Sequence, residues 1–310
     1  MDLPRIIFIV GPTGVGKSGV ALELAGLLNA EIIACDAMQV YREVAIASDK
    51  PSAADLKRVN HHMINCVSVT EEFDVARYRR EAVSAIEEVL KRDKVPLVVG
   101  GSGMYVSILL DGIFEENSTD PFIRRQLQED AKIKGVDKLY QRLKKVDPES
   151  ARKINSTDER RIIRALEVYV ANRKPISQLQ KNRSGLWGKY DIKIFALNRE
   201  RQELYDRVNQ RVDKMFSDGL IAEIEKLKAL SLSRTAGGLI GIPEVTGYLN
   251  GQQSLEQAKE VMKMNSRHYV KRQLTWFRKD KRLTWIDVGQ DESGEPVAKR
   301  ISGMIYEKGR

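Results

Sequence analysis

Gly11-Pro-Thr-Gly-Val-Gly-Lys-Ser18 is the stretch on which the reading of this chain turns. It fits the phosphate-loop pattern G-x-x-x-x-G-K-[ST], and its surroundings fit as well. Arg5 to Val10 is a short apolar run that reads as a buried parallel strand, and Gly19 to Leu28 has helical periodicity. Strand, glycine loop and helix predict that Gly11, Pro12, Thr13, Gly14, Val15, Gly16, Lys17 and Ser18 wrap a phosphate chain. The glycines let backbone N–H groups converge on one anion, and the helix N-terminus adds its dipole. Lys17 is expected to reach the terminal phosphates and the Ser18 hydroxyl to ligate Mg²⁺.

The chain has 310 residues, enough for two domains or for one large core with an insertion. Hydrophobic residues make up 42%, ample for a packed core, and the net charge of +9 favours a polyanionic partner such as nucleic acid. No apolar run approaches the roughly 18 residues of a membrane span, so no membrane partner is expected. Met1-Asp-Leu-Pro-Arg5 leads straight into the first strand, which predicts no signal peptide. Cys35 and Cys66 have neither metal-ligand spacing nor a disulfide pattern, and a cytoplasmic location is expected.

Beyond the first helix, Ala30 to Cys35 reads as a second strand, and Asp36 stands at its carboxyl end, where doubly wound sheets bind ligands. Three roles for Asp36 remain open at this level: holding Mg²⁺ through water, acting as a general base, or capping a turn. Ser52 is a plausible N-cap, and Asp74 to Arg92 reads as a long amphipathic helix. His61 and His62 are adjacent, hence divergent, and have no Cys or carboxylate cluster near them in sequence, which argues against a metal site. Lys94 to Val99 is a further buried strand followed by the turn Gly100-Gly-Ser-Gly-Met-Tyr105, which brings Ser102 towards the same end of the sheet.

From Glu115 the composition becomes charged and helical, so residues 115–190 are expected to form a helical insertion between core segments 1–114 and 191–310. Within the insertion Arg160, Arg161 and Arg164 fall on neighbouring helical positions, either as a solvated face or as a phosphate-contacting patch. Asp191 to Leu197 reads as a strand. Arg207 and Arg211 then lie one turn apart, set to neutralise a leaving pyrophosphate or merely to pair with Asp206 and Asp213. Leu239 to Gly247 reads as a glycine-broken loop. Ser266 to Arg282 mixes seven Lys/Arg and three aromatics with one acid, a composition suited to nucleic acid. Leu283 to Val288 reads as a last strand.

Together these stretches resemble one family, the tRNA dimethylallyltransferases. The family's Gly-Pro-Thr loop is matched by Gly11 to Ser18, its Asp-Ser-x-Gln-x-Tyr element by Asp36-Ala-Met-Gln-Val-Tyr41, and its Gly-Gly-Thr-Gly-x-Tyr turn by Gly100 to Tyr105. Its Arg-x-x-Arg-Ala-Leu-Glu segment matches Arg161 to Glu167, and its Lys-Arg-Gln-x-Thr-Trp-Phe-Arg signature matches Lys271 to Arg278. The resemblance spans about Pro4 to Val288. It implies an α/β fold, a parallel sheet like that of P-loop nucleotide kinases, flanked by helices and carrying a helical insertion domain that contacts tRNA.

It also implies transfer of a dimethylallyl group from its diphosphate to N6 of the adenosine 3′ of the anticodon, with Mg²⁺ as cofactor and release of diphosphate. The loop would then hold the diphosphate of the donor, not ATP. Asp36 would be the base, Ser102 would contact the bridging diphosphate oxygen, and Arg211 would neutralise the leaving group. Asp36, Ala37, Met38, Gln39, Arg160, Arg161, Ile162, Ile163, Arg164, Lys271, Arg272 and Gln273 would meet the tRNA anticodon stem-loop, with the target base flipped out of its stack. A monomer is expected.

Departures from the family pattern are Ala37 for serine, Ser102 for threonine, Ala45-Ile-Ala-Ser-Asp-Lys-Pro51 for Asp-Ile-Gly-Thr-Ala-Lys-Pro, and Gly241-Ile-Pro-Glu244 for Gly-Tyr-Lys-Glu. Two alternatives share the phosphate loop: a small-molecule kinase, which would turn over ATP, and a relative that prenylates free adenine nucleotides.

Overall fold

The computed structural model describes residues 3–114 and 120–306. The chain runs through β1 (Arg5–Val10), α1 (Lys17–Leu28), β2 (Ala30–Ala34), α2 (Ala53–Arg58), β3 (His61–His62), α3 (Val75–Lys91), β4 (Val95–Gly100) and α4 (Gly103–Asp111). Helices α5 (Pro121–Lys134), α6 (Val136–Val146), α7 (Pro148–Lys153), α8 (Glu159–Asn172) and α9 (Ile176–Leu179) follow. Then come β5 (Asp191–Asn198), α10 (Arg201–Ser217), α11 (Leu220–Leu227), α12 (Ile242–Leu249), α13 (Leu255–Phe277), β6 (Thr284–Asp287) and α14 (Gly294–Tyr306).

Residues 1–109 with 187–310 form one compact unit and residues 110–186 a second. The expected boundaries at 115 and 190 thus move to 110 and 186. Backbone packing explains the shift. A Cβ on Gly185 would stand 2.2 Å from the Leu110 carbonyl oxygen, so the two segments at the neck of the insertion touch main chain to main chain. Glu115, where the composition changes, lies outside the described residues.

In the first unit six strands form one parallel sheet in the order β3-β2-β4-β1-β5-β6. Its inner strands are built on apolar runs because both faces are covered, as parallel sheets require, with charge at Glu31 of β2 and in the first residues of β5. Ile6, Ile7, Phe8, Ile9 and Val10 of β1 are fully buried. The chain leaves β1 for β2 and returns as β4 between them, then crosses β1 to reach β5. The direction of winding therefore reverses beside β1, which opens a crevice at the carboxyl ends of β1 and β4. The glycine loop and the Gly100–Tyr105 turn leave the sheet on either side of that crevice.

The backbones of β2 and β4 approach closely where they end. Cys35 donates its N–H to the Val99 carbonyl at 2.7 Å, and Ser102 donates to the Cys35 carbonyl at 3.3 Å. A Cβ on Gly100 would lie 2.0 Å from the Cys35 carbonyl oxygen, a clash with backbone that no rotamer relieves. Gly100→Ala is expected to cost about 3 kcal/mol or more, or to prevent folding. Urea unfolding checks this, and a loss below about 1 kcal/mol would contradict the packing described.

The cap predicted at Ser52 is present, and Asp74, read as the first residue of its helix, proves to be a cap as well. Ser52 forms a reciprocal capping box with Asp55, and Asp74 accepts the Arg77 N–H at 2.8 Å. The strand β3, by contrast, is only two residues long and gave no sequence signal. His62 on it is held by Glu31 at 2.7 Å, so it serves the sheet edge. Residues 239–247 are not a loop throughout. Helix α12 begins at Ile242, with Pro243 in its first turn, where its missing N–H costs nothing, and the Glu244 carboxylate accepts the Gly241 N–H at 2.7 Å.

The second unit is helical among its described residues, with a core that includes Leu127, Leu143, Ile162, Ile163 and Leu166. Glu167 is fully buried and is satisfied by the Asp120 N–H at 3.0 Å and by Arg124 and Arg164 at 2.9 and 3.1 Å. Of the arginine patch, then, Arg160 and Arg161 face solvent, while Arg164 is half-buried and turned to Glu167. Ile162 and Ile163 are 0% and 5% exposed, so their side chains belong to this core and are closed to tRNA.

Candidate active site

A cavity of about 470 Å³ opens in the first unit at the carboxyl ends of β1, β2 and β4. Its walls include Thr13, Gly14, Gly16, Lys17 and Ser18 of the loop, together with Asp36, Gln39, Asp49, Arg207 and Arg211. Pro12 and Val15 turn inward and pin the loop to the core.

Gly11, Gly14 and Gly16 take φ values of 145°, 81° and 105°, which curl the loop in a way side chains resist. Three of the carbonyls thrown outward by this curl are taken by cationic side chains. Lys17 donates to Pro12 O at 2.8 Å, Arg207 to Gly14 O at 2.9 Å and Arg199 to Val15 O at 3.0 Å. The N–H groups of Gly14, Val15, Gly16, Lys17 and Ser18 find no acceptor among the described residues. Five converging amides at a helix N-terminus form a ready anion site. The Thr13 amide differs, since it donates to the Gln273 side chain at 2.9 Å.

That bond revises the reading of Gln273. The residue is 5% exposed, and its amide also donates to Gly101 O at 2.9 Å. It bridges the glycine loop to the Gly100–Tyr105 turn and is not open to tRNA. Lys271 and Arg272, its neighbours on α13, are exposed. Trp276 is 42% exposed, with its indole against Gly103, while Val270 and Phe277 are buried. As far as Phe277 the basic aromatic stretch is thus the last part of α13, with an apolar seam and a charged outer face, and residues 278–282 follow it as a turn.

Asp36 does cap a turn: Oδ1 accepts the N–H of Met38 at 2.8 Å and of Gln39 at 3.4 Å. The capping role does not exclude the others, because only one carboxylate oxygen is engaged and the residue still lines the cavity. Gln39 also lines it, and its amide donates to the carbonyls of Ser48 and Asp49 at 3.4 and 3.1 Å, holding that loop in place. Ser102 is buried and off the cavity wall. Its hydroxyl accepts the Ala37 N–H at 3.1 Å and bonds with the Tyr269 phenol, whose burial pushes its pKa up to about 12. Ser102 therefore fixes the strand end that carries Asp36.

Burial lowers the Lys17 ammonium to about 8, and the nearby Arg211 charge acts in the same direction, while Asp36 and Asp49 partly offset both. A cation held this way is electrostatically unsatisfied. Arg211 donates to the Thr13 hydroxyl and lies 3.2 Å from Asp49. Neither expected partner is used, since Asp206 accepts from Gln202 and Asp213 pairs with Lys263. The Cys35 thiol beneath the site is pushed up to about 12 by burial, which removes it as a nucleophile.

The residues fit a magnesium ion of one kind. Among the described residues no group of three His, Cys, Asp or Glu is placed to hold a metal alone. The exposed Ser18 hydroxyl on the cavity wall supplies one hard oxygen donor, which suits an ion completed by water and ligand phosphates.

Sequence reasoning missed Asp49, Tyr269 and Arg199. Arg199 is 6% exposed and ties Val15 O to the carbonyls of Gly289 and Glu292 at 2.7 and 3.0 Å. Only long-range contact reveals such a role. No helix among the described residues is long and apolar enough to cross a membrane.

Comparison with known proteins finds relatives over nearly the whole chain. The IPP transferase family model matches residues 39–280. The tRNA dimethylallyltransferase of Carboxydothermus hydrogenoformans is 41% identical over 299 residues, covering 96% of each chain. That of Acetivibrio thermocellus is 36% identical over 302 residues, again covering 96% of each. The crystal structure of the Bacillus halodurans tRNA isopentenylpyrophosphate transferase superposes with a TM-score of 0.69 at 36% identity, covering 98% of this chain and 97% of that one. A eukaryotic dimethylallyltransferase, solved acting on tRNA, superposes with a TM-score of 0.84 at 28% identity, covering 99% and 80%. A parallel sheet with a phosphate loop, a carboxylate in the wall of the same cavity, and likeness of this extent identify the chain as a member of the IPP transferase family, the tRNA dimethylallyltransferases.

Proposed function

We propose that this enzyme transfers a dimethylallyl group from dimethylallyl diphosphate to N6 of the adenosine 3′ of the anticodon of tRNA. The observation that carries the reading is that Gly14, Gly16, Lys17 and Ser18, whose amides find no acceptor among the described residues, line one cavity together with Arg211 and the Asp36 carboxylate. The amides of Gly14 to Ser18, with Lys17, Arg207 and Arg211, bind the diphosphate and neutralise the charge it gains as it leaves. Mg²⁺, held by Ser18, water and the diphosphate itself, would add Lewis-acid stabilisation of that charge. The bond between the allylic carbon and oxygen breaks, the bond from N6 to that carbon forms, and the N6 proton passes to Asp36. Ser102 positions Asp36 through the Ala37 N–H.

The exposed Lys271, Arg272, Arg160 and Arg161 are proposed to contact tRNA phosphates. One chain supplies every group in this scheme, which suits a monomer working in the cytoplasm on a flipped-out base.

Purified protein with radiolabelled dimethylallyl diphosphate and Mg²⁺ tests the proposal. Label should enter unmodified tRNA and not adenosine monophosphate. Label entering the mononucleotide would make the protein a nucleotide prenyltransferase, and ATP hydrolysis without prenyl transfer would make it a kinase.

A further inference from the structure

Asp49 is a carboxylate that no step of the transfer uses, yet it stands in the wall of the diphosphate cavity. Its loop is fastened from several sides. The Glu223 carboxylate accepts the N–H groups of Ala45, Ile46 and Ala47 at 2.7, 2.8 and 2.9 Å. Lys50 donates to the carbonyls of Tyr41 and Arg42, and Gln39 donates to that of Asp49 itself. Asp49 takes φ 53°, a left-handed conformation that Asp and Asn tolerate better than most side chains. From this anchored position its Oδ2 lies 3.2 Å from Nη1 of Arg211. The same nitrogen donates to the Thr13 hydroxyl. The guanidinium that should receive the diphosphate is therefore already engaged by an acid of the same sign as the ligand. An incoming phosphate oxygen must take Arg211 from that acid or share it, and either way it sits beside a like charge.

The geometry points to Asp49 as the residue that sets diphosphate affinity by competing for Arg211, an assignment that rests on the diphosphate reading proposed above. Weakening the hold has a use. Binding energy common to substrate, transition state and product does not speed the chemical step, and it delays departure of the product diphosphate. The Asp49 side chain is 57% exposed, so water and salt screen its repulsion and limit the effect to roughly three- to tenfold.

Calorimetric titration of inorganic diphosphate with Mg²⁺ into wild type, Asp49→Asn and Asp49→Gly tests this, since both replacements accept the left-handed backbone. Both variants should lower Kd by roughly three- to tenfold, and the gain should disappear in an Arg211→Gln background. An unchanged Kd would overturn the inference, as would an equal gain without Arg211. Weaker binding together with a higher Mg²⁺ requirement would overturn it too, by making Asp49 a partner of the metal. Prenyl transfer to tRNA, followed with the same preparations, separates the two readings. Active wild-type enzyme with an unchanged Asp49→Asn Kd removes this inference alone. The expected Kd shifts without prenyl transfer remove only the transferase reading.

Discussion

Asp36→Asn is expected to slow prenyl transfer by roughly 10²- to 10⁴-fold while leaving the fold almost unchanged. The two carboxylate oxygens have different duties. Oδ1 accepts the Met38 and Gln39 N–H groups and so shapes the turn after β2. Asparagine keeps one acceptor oxygen for those bonds, but its amide nitrogen has no basicity with which to take the N6 proton. An exocyclic adenine amine has its lone pair drawn into the ring, so bond formation to carbon must be accompanied by loss of that proton. Single-turnover transfer of labelled donor to tRNA measures the step directly, and calorimetry with inorganic diphosphate measures binding apart from it. A rate within about threefold of wild type would remove Asp36 as the base and leave it as a turn cap. Asp36→Ala would be a poorer test, because it abolishes the cap as well.

What the sequence reveals and what it hides divide along contact distance. Strands β1, β2, β4 and β5 are legible to within a residue or so because burial writes each with an apolar run, interrupted near the start of β2 and β5 by Glu31 and by Asp191 and Lys193. The phosphate loop and Asp36 are legible because their chemistry is local: eight consecutive residues form the anion site, and a carboxylate after a strand falls at the ligand end of the sheet. Helix α12 is hidden because its glycines and Pro243 read as breakers, although Pro is well suited to a first helical turn and Glu244 satisfies the N-terminal amide. The partners of Arg211 are hidden for a different reason. Asp206 and Asp213 are near in sequence, yet Asp49, far away in the chain, is the acid that the fold delivers. Likewise Gln273 lies in a basic stretch whose composition suits tRNA, but its own position on α13 faces the core and meets Thr13. Composition describes the stretch correctly and cannot assign the face of each residue.

Lys17→Met is expected to move binding and stability in opposite directions. An ammonium bonded to a phosphate oxygen is a charge-assisted contact, so its loss should weaken inorganic diphosphate by about 10²-fold and slow transfer by at least as much. The same charge is a burden to the empty protein, where burial lowers its pKa from 10.5 to about 8. Between those two values the unfolded chain holds a proton that the folded chain has released, so wild-type stability rises with pH across that window. Below pH 8 the cost of the buried charge is present in full. Methionine fills a similar volume without it, although it gives up the bond to Pro12 O. At pH 7 the variant should therefore melt about 2–4 °C above wild type, with the gap closing as pH climbs beyond 8. Wild-type diphosphate affinity should fall over the same rise, as Lys17 loses its proton before the ligand arrives, and the variant should lack that limb. Thermal melts and calorimetry at pH 7, 8 and 9 read both trends. A variant less stable than wild type at pH 7, or one with undiminished diphosphate affinity, would show that Lys17 serves the fold and not the ligand.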